Sequence, residues 1–547
     1  MLNALAPRRL AGLAAMATLF LFAAAINFRW GARAFSEDGD PLFHGGWLVA
    51  NGWVPFVDFF TSWGSVTAVI QGGFFALFGP TWTAYLAHAS VVNGIYTVLI
   101  CVLFRQVGLS APVSWLYAAA AAVTYYAPAG HPHPDKEGFV FLAAALVLQL
   151  SALHRGRHVF ARYLAAALLL ELAFLCKGNP AAAFPVAALV PFLFLSWPDK
   201  SKALAAALAA VGILAIAIAI ALLPSNPTVF GDLFHYYFKL PFAVVQVRDS
   251  EGWGLSLTKL SDYAKFGAFP LAYAMAAAAL LVATRDFPKT NRASRLAAGL
   301  GLAFLAVTLF HLGTIRQPPS VHVTLLVPAI ACFHAALAAP LSNGPEASRI
   351  GRLILTIVLL GTVALNVKEY ERLVVKARLI YDKPFQMGGL MAPGTAGIPE
   401  LPEIAFAPIE GDPGFLERLR EAARLVRESE GGVLLVGLSP MLYATGRKPP
   451  VIPAIYTNPG HSTPAHDTPE EDRMIAMFAR NLSQAATRTV LVRAEKGELV
   501  RQSLERLSPD LVCRTDMEGP VWRLLLCQPP DPGDFPLAKV LFRHVSN

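Results

Sequence analysis

Three carboxylates stand within four residues at Glu37-Asp38-Gly39-Asp40, just beyond the first long apolar run of the sequence. Acids placed where a membrane meets water are costly to dehydrate, and such groups bind a ligand or do chemistry. Asp38 and Asp40 flank a flexible glycine, so both can reach one divalent cation or one polar substrate. One of them can also take the proton from an attacking hydroxyl. The D-x-D shape permits a cation, magnesium or manganese, without requiring one. A plain structural role fits as well: Asp38 or Asp40 can cap a helix opening at Pro41, a favoured first position. The two readings are compatible.

A second polar group follows at His131-Pro132-His133-Pro134-Asp135-Lys136-Glu137. Two histidines and two acids are a donor set for a metal or a substrate, although the prolines splay them, and Asp135 can equally cap the next helix. Asp58 is a lone acid in the aromatic stretch Val54–Phe60 and either contacts a sugar or caps a helix. Glu171 and Lys177 lie in or beside apolar runs, where an ionisable group suggests function. Lys177, Arg316 and His322 suit a lipid phosphate, and Arg316 can bind one bidentately; an arginine snorkelling to headgroups is the alternative. The aromatics of His235–Lys239 and Trp253 either stack on sugars or form an interfacial belt, the belt being the commoner use.

The elements that hold these residues are membrane helices. Of the 547 residues 55% are hydrophobic and only 15% charged, where a soluble chain carries roughly 25% charged residues. Mean hydropathy is +0.49. Runs long enough to span a bilayer cover residues 10–28, 82–104, 111–128, 138–153, 163–176, 180–197, 203–223, 267–284, 296–313, 322–340 and 353–367. The fold class expected is therefore a polytopic α-helical membrane protein of about eleven spans. A short Gly-rich helix near 65–79 reads as re-entrant or interfacial. Arg8 and Arg9 precede a run that lacks a small-residue cleavage site, so a retained first span is expected rather than a signal peptide. The net charge of +8 comes from short basic loops, which is the positive-inside pattern and not a nucleic-acid footprint. Counting spans on that rule puts the N-terminus in the cytoplasm, with the loops 29–64, 129–137 and 224–266 and the tail after Lys368 on the opposite side.

Residues 1–368 thus read as the membrane domain and 369–547 as a soluble domain outside. Beyond 370 charged residues rise and no run spans. Phe415–Glu430, Met474–Leu482 and Gly497–Leu507 read as helices; Gly432–Gly437, Thr489–Val492 and Val521–Cys527 read as strands, and the alternation implies a small α/β domain. Cys101, Cys176 and Cys332 sit in apolar runs. Cys513 and Cys527 sit in the polar region and can pair if it faces an oxidising compartment, or remain two buried thiols.

Several stretches resemble GT-C glycosyltransferases, closest to the bacterial branch of aminoarabinose, galacturonic-acid and mannose transferases that use polyprenyl-phosphate sugars. The acidic group, Leu48–Phe60 and Phe74–Gly79 resemble the family's first outer loop. Leu172–Gly178 resembles its apolar-run-then-Lys segment, Arg316–Pro328 its late span, and Ser439–Pro450 the P-x-L-Y-x-x-T-G-R stretch of its outer C-terminal domain. The resemblance implies an inverting transfer at the outer face of a bacterial inner membrane. Its partners would be a polyprenyl-phosphate-linked sugar donor and a lipid, glycan or protein acceptor, with no nucleotide site. Asp38 would be the base, Asp58 the second loop acid, and Lys177 and Arg316 would face the leaving phosphate. The family's usual Asp-Glu order is replaced here by Glu37-Asp38 and then Asp40, which leaves three carboxylates as candidates for the base. Trp63-Gly64-Ser65 stands where the family often has Gly-Pro or Pro-Pro. A flippase of lipid-linked sugars and a non-catalytic glycan-binding protein are the rival readings; the first would need no soluble domain.

Overall fold

The computed structural model describes residues 2–30, 39–61, 64–125, 130–242, 269–285, 292–315, 324–338, 414–448, 451–452, 466–507, 512–516 and 519–546. Glu37, Asp38, Trp253, Arg316, His322 and the run 353–367 lie outside the described residues. In chain order the helices up to residue 338 are α1 (Leu2–Trp30), α2 (Gly39–Ala50), α3 (Ser65–Phe78), α4 (Trp82–Gln106), α5 (Ala111–Thr124), α6 (Pro134–Arg155), α7 (Val159–Cys176), α8 (Gly178–Ala181), α9 (Phe184–Leu193), α10 (Trp197–Leu222), α11 (Val229–Phe234, continued by a π-turn His235–Lys239), α12 (Phe269–Arg285), α13 (Arg292–Ile315) and α14 (Leu326–Ala338).

Among the described residues six helices are long and apolar enough to cross a membrane: Leu10–Arg29 of α1, α4, α6, α7, α10, and Arg292–Leu312 of α13. Five shorter apolar helices accompany them, so the chain is a polytopic helical membrane protein. The run expected at 180–197 is broken instead into α8 and α9. Pro180 and Pro185 stand on either side of the break, and Pro185 in the first turn of α9 lacks the backbone donor that a continuous helix would need there.

The chain divides into two compact units. One comprises Met1–Gly31, Leu86–Ile220 and Arg248–Ala377; the other comprises Ala32–Tyr85, Ala221–Val247 and Arg378–Asn547. Composition alone draws a single boundary at 368/369, whereas the second unit also takes in the segments 32–85 and 221–247.

In the first unit, α4 has 67% of its most apolar window buried, while α10 has 17%. α4 is therefore a core helix, and α10 turns Leu204, Leu208, Val211, Ile216 and Ile220 outward, as a lipid-facing helix does. The core joins Tyr96 and Phe104 of α4, Tyr117 of α5, Leu146 of α6, Phe304 of α13 and Phe333 of α14. Small residues let the helices approach closely: a Cβ added at Gly94 would stand 2.6 Å from the Phe20 ring. α6 has signals at both ends. Pro134 occupies its first turn with Asp135 and Glu137, Arg155 its last, and Gly156 closes it with φ 59°.

In the second unit, α2 packs on α3, with the Phe43 ring 4.7 Å from that of Phe75 and edge-on to Tyr85 at 5.5 Å. The loop after α2 leans on the 226–237 segment. Asn226 Nδ2 donates to the Phe56 carbonyl at 2.5 Å, Ser65 Oγ and the Tyr237 hydroxyl are 2.5 Å apart, and Phe60 stacks on Tyr236 at 5.0 Å.

The C-terminal part of this unit is an α/β fold of α15 (Phe415–Glu428), β1 (Val433–Val436), α16 (Leu442–Gly446), α17 (Pro469–Gln484), β2 (Thr489–Arg493), α18 (Ala494–Leu507), β3 (Val512–Asp516), β4 (Val521–Leu526) and α19 (Phe535–Ser546). The sheet order is β1-β2-β4-β3, with β1 parallel to β2 (Val433 opposite Thr489) and the other pairs antiparallel. β1, though at the sheet edge, and the first four residues of β2 are buried, as parallel strands covered on both faces are. α15 covers the sheet with Leu419, Ala422, Ala423 and Val426. Gly497 of α18 lies under the Trp522 indole so closely that a Cβ there would be 1.9 Å from Cδ2. Cys513 and Cys527 are disulfide-bonded across the β3–β4 hairpin, Cα to Cα 4.9 Å. β3, α16 and α19 were not expected from the sequence.

Candidate functional site

The first unit builds a polar cluster at the start of α6, inside a set of apolar helices. His133, in extended conformation, caps the backbone, and Pro134 fixes the first helical φ. This turns Asp135, Lys136 and Glu137 into the protein, with exposures of 0%, 3% and 1%. Charges so deep need partners or a ligand. Asp135 is clamped between two imidazoles: His133 Nδ1 bonds one carboxylate oxygen, and His311 Nε2 of α13 lies 3.1 Å from the other. Lys136 Nζ donates to Thr324 Oγ1 at 2.7 Å and lies 5.8 Å from the centre of the Phe139 ring. Glu137 Oε1 is 3.5 Å from His88 Nε2 of α4.

Tyrosines fix the backbone of this turn. The Tyr125 hydroxyl donates to the Lys136 carbonyl, Tyr96 donates to the Thr324 carbonyl at 3.2 Å, and the two rings stack at 4.3 Å. Asn27 Nδ2 donates to the Gly130 carbonyl at 3.1 Å and anchors the loop that leads in. Lys177, half-buried just after α7, is near enough to act electrostatically on both Asp135 and Lys136. The arrangement therefore offers a rigid, oriented carboxylate and two ammonium groups in low-dielectric surroundings, where a charged ligand group is bound strongly.

His133, Asp135 and Glu137 come together in this cluster. His131 is buried beside it, its Nδ1 3.0 Å from the Pro132 carbonyl. Asp40 lies in the first turn of α2. Asp58 belongs to the second unit, where its Oδ2 accepts the Val54 N–H at 2.8 Å and closes its own turn. Glu171 is half-buried on α7, and its Oε2 has no hydrogen-bond partner among the described residues. Glu37, Asp38, Arg316 and His322 lie outside the described residues. No group of three His, Cys, Asp or Glu placed to hold a metal ion occurs among the described residues. At 131–137 the reason is visible, since Asp135 bonds His133 and His311 while Glu137 faces His88.

His88, His311, Lys136 and Thr324 belong to the cluster and were not selected from sequence. Two of them had a usable signal, because His88 and His311 are single histidines within apolar runs, where an ionisable group is rare unless used.

In the second unit, Asp232, 2% exposed, pairs with Arg473 Nη2 at 3.1 Å and takes hydrogen bonds from Asn226 and Thr228. His235 Nδ1 lies 3.9 Å from Glu470 Oε1. These pairs tie the 221–247 segment to α17 and read as structural fastenings.

No protein-family model and no curated protein matches this chain. Among solved structures it is similar to ArnT from Cupriavidus metallidurans bound to undecaprenyl phosphate, with a TM-score of 0.49 at 11% identity over 94% of this chain and 98% of that one. It is similar also to the same protein in the apo state, with a TM-score of 0.49 at 13% identity over the same shares.

Proposed function

We propose that this chain is a membrane glycosyltransferase of the GT-C type that moves a sugar from a polyprenyl-phosphate donor to a lipid, glycan or protein acceptor. The observation that carries the reading is the buried ionic cluster at the start of α6, where a clamped carboxylate and two lysines lie within a bundle of apolar helices. An apolar bundle has no structural need for such a group, whereas a lipid with an anionic head does. The order of the sequence stretches that resemble GT-C enzymes supports the same reading. So does a disulfide-bonded α/β part, which suits an oxidising compartment and hence a position outside the cytoplasm. The protein then sits in a bacterial inner membrane with its N-terminus cytoplasmic.

In the proposed reaction the lipid-borne sugar enters sideways from the bilayer. Asp38, flanked by Glu37 and Asp40, accepts the proton of the acceptor hydroxyl as its oxygen attacks the anomeric carbon. The bond from that carbon to the phosphate oxygen breaks, its electron pair leaves with the polyprenyl phosphate, and the anomeric configuration inverts. Lys136, Lys177 and Arg316 offset the charge on the departing phosphate, and His131, His133, Asp135, Glu137 and His322 are the further groups proposed to contact the lipid-borne substrate. Asp38 and Asp40 are the carboxylates that would hold a magnesium or manganese ion, whose positive charge would assist the leaving group.

Transfer from a panel of radiolabelled polyprenyl-phosphate sugars, with membrane extract as acceptor, tests this. Wild type transfers label and Asp38→Asn loses at least about a hundredfold of the rate. Full transfer by Asp38→Asn moves the base to Asp40 or Glu37. A folded wild type that transfers nothing but carries donor across vesicles is a flippase instead.

A further inference from the structure

Four polar atoms without hydrogen-bond partners lie on two touching segments of the second unit. His44 of α2 is 1% exposed, yet neither ring nitrogen has a partner among the described residues. Trp47, one turn on along the same face, is 9% exposed and its Nε1 has none either. The fourth is Ser439 Oγ, a buried atom on the segment that leads into α16. That segment meets α2 directly: the Tyr443 ring stands 5.6 Å from the His44 ring, tilted by 31°. Tyr443 is itself positioned from the sheet, because its hydroxyl accepts the Leu435 N–H at 3.3 Å.

A buried polar atom without a partner destabilises the fold, and most proteins tolerate few of them. Four on two adjoining segments call for an occupant that supplies the missing bonds. Burial holds the His44 imidazole down at about 3, so the ring is neutral at physiological pH. It then offers one donor and one acceptor, the indole adds a donor and the serine hydroxyl either role. With two aromatic faces beside them and no formal charge, these groups suit a ring that carries several hydroxyls. They do not suit a phosphate. The helix that carries His44 and Trp47 opens with Gly39-Asp40, so these groups follow the acidic segment within two turns.

We infer that His44, Trp47, Ser439 and the Tyr443 ring form a neutral subsite for a hydroxyl-bearing sugar ring, distinct from the lysines assigned to the lipid phosphate. The inference rests on the transferase reading above and deepens it. The ring is either the sugar being transferred or a sugar of the acceptor, and one experiment separates the two.

Full-length wild type, His44→Phe and Trp47→Phe are compared in three measurements: thermal unfolding, binding of bare polyprenyl phosphate against the glycosylated donors of the panel, and the acceptor KM. Phenylalanine removes the polar atoms that lack partners and keeps an aromatic ring, larger than imidazole and smaller than indole, so thermal unfolding measures the repacking cost of each variant separately from its binding. The affinity that the sugar adds over the bare carrier falls at least tenfold in both, with bare-carrier binding unchanged. A tenfold loss confined to the acceptor KM also supports the subsite and assigns it to the acceptor. If His44→Phe fails to fold, Trp47→Phe decides. Variants that keep both the full sugar-dependent gain and the wild-type acceptor KM overturn the inference and leave the transferase reading standing. A wild type that binds no carrier lipid, bare or glycosylated, overturns the transferase reading and this inference with it.

Discussion

At Asp135 one carboxylate receives two imidazoles and is fully enclosed. Its charge sets the orientation of His133 and His311 and sits next to that of Lys136. Asn has the same shape and no charge, so Asp135→Asn should lose transfer by about a hundredfold or more while detergent-solubilised protein keeps its helical content. Equal rates in the variant would remove the cluster from the mechanism. Glu471 shows a different use of a buried carboxylate, in the C-terminal part. Burial alone would raise it. The bonds from Arg543, His466 and the Asp467 N–H overcome that and hold it at about 2, below the ordinary 4.5. A depressed carboxyl contributes stability that is complete above 4.5 and is lost as pH falls through about 2. The contribution is roughly 3 kcal/mol at most. Glu471→Gln should therefore flatten the unfolding midpoint between those pH values, as a pH series of thermal melts would record. The sequence made Asp135 and Glu137 visible by their place before an apolar run. It did not disclose that His311, 176 residues away, completes the clamp, because nothing local marks which of two intramembrane histidines meets which acid.

At the scale of elements, α18 approaches β4 closely at Gly497. Ala at position 497 would drive its Cβ into the Trp522 ring, so the indole or the helix would have to shift. Gly497→Ala should destabilise by about 1–3 kcal/mol even though Ala is the better helix former. Denaturant titration of the intact chain measures it, and a neutral or stabilising result would mean the helix and sheet stand farther apart. Most elements were legible. The apolar runs 82–104, 138–153 and 203–223 became α4, α6 and α10, and the apolar stretches Val433–Val436 and Thr489–Val492 became neighbouring parallel strands. β3 was not legible, because Val512-Cys513-Arg514-Thr515-Asp516 buries none of its residues and so lacks the alternation that betrays a strand. It is held in register by β4 and by the disulfide rather than by an apolar face.

For the whole molecule the testable expectation is its orientation. Basic short loops on one side predict that Arg157→Cys, in the exposed loop after α6, reacts with a membrane-impermeant maleimide only after the membrane is opened, whereas Gln502→Cys in α18 reacts in intact spheroplasts. The reverse pattern would invert the assignment and place the proposed active site in the cytoplasm. The sequence conveyed the class of molecule through its hydropathy and the change in composition near 370. It gave no hint that residues 32–85 and 221–247 belong with 378–547, since companionship between distant segments leaves no trace in local composition.

That discontinuity has a consequence for how the molecule is made. Tyr443 and Arg473 leave the ribosome long after the His44 and Asp232 they meet. From Tyr85, the end of the first segment of the unit, to Tyr443 is 443 − 85 = 358 residues. At about 5–20 residues per second that is a wait of roughly 20–70 s. During it α2 and its neighbours exist without the surface that will cover them. A chain stalled or cleaved before residue 414 would leave α2 without Tyr443 and α11 without Arg473, so segments made early depend for their packing on residues made much later.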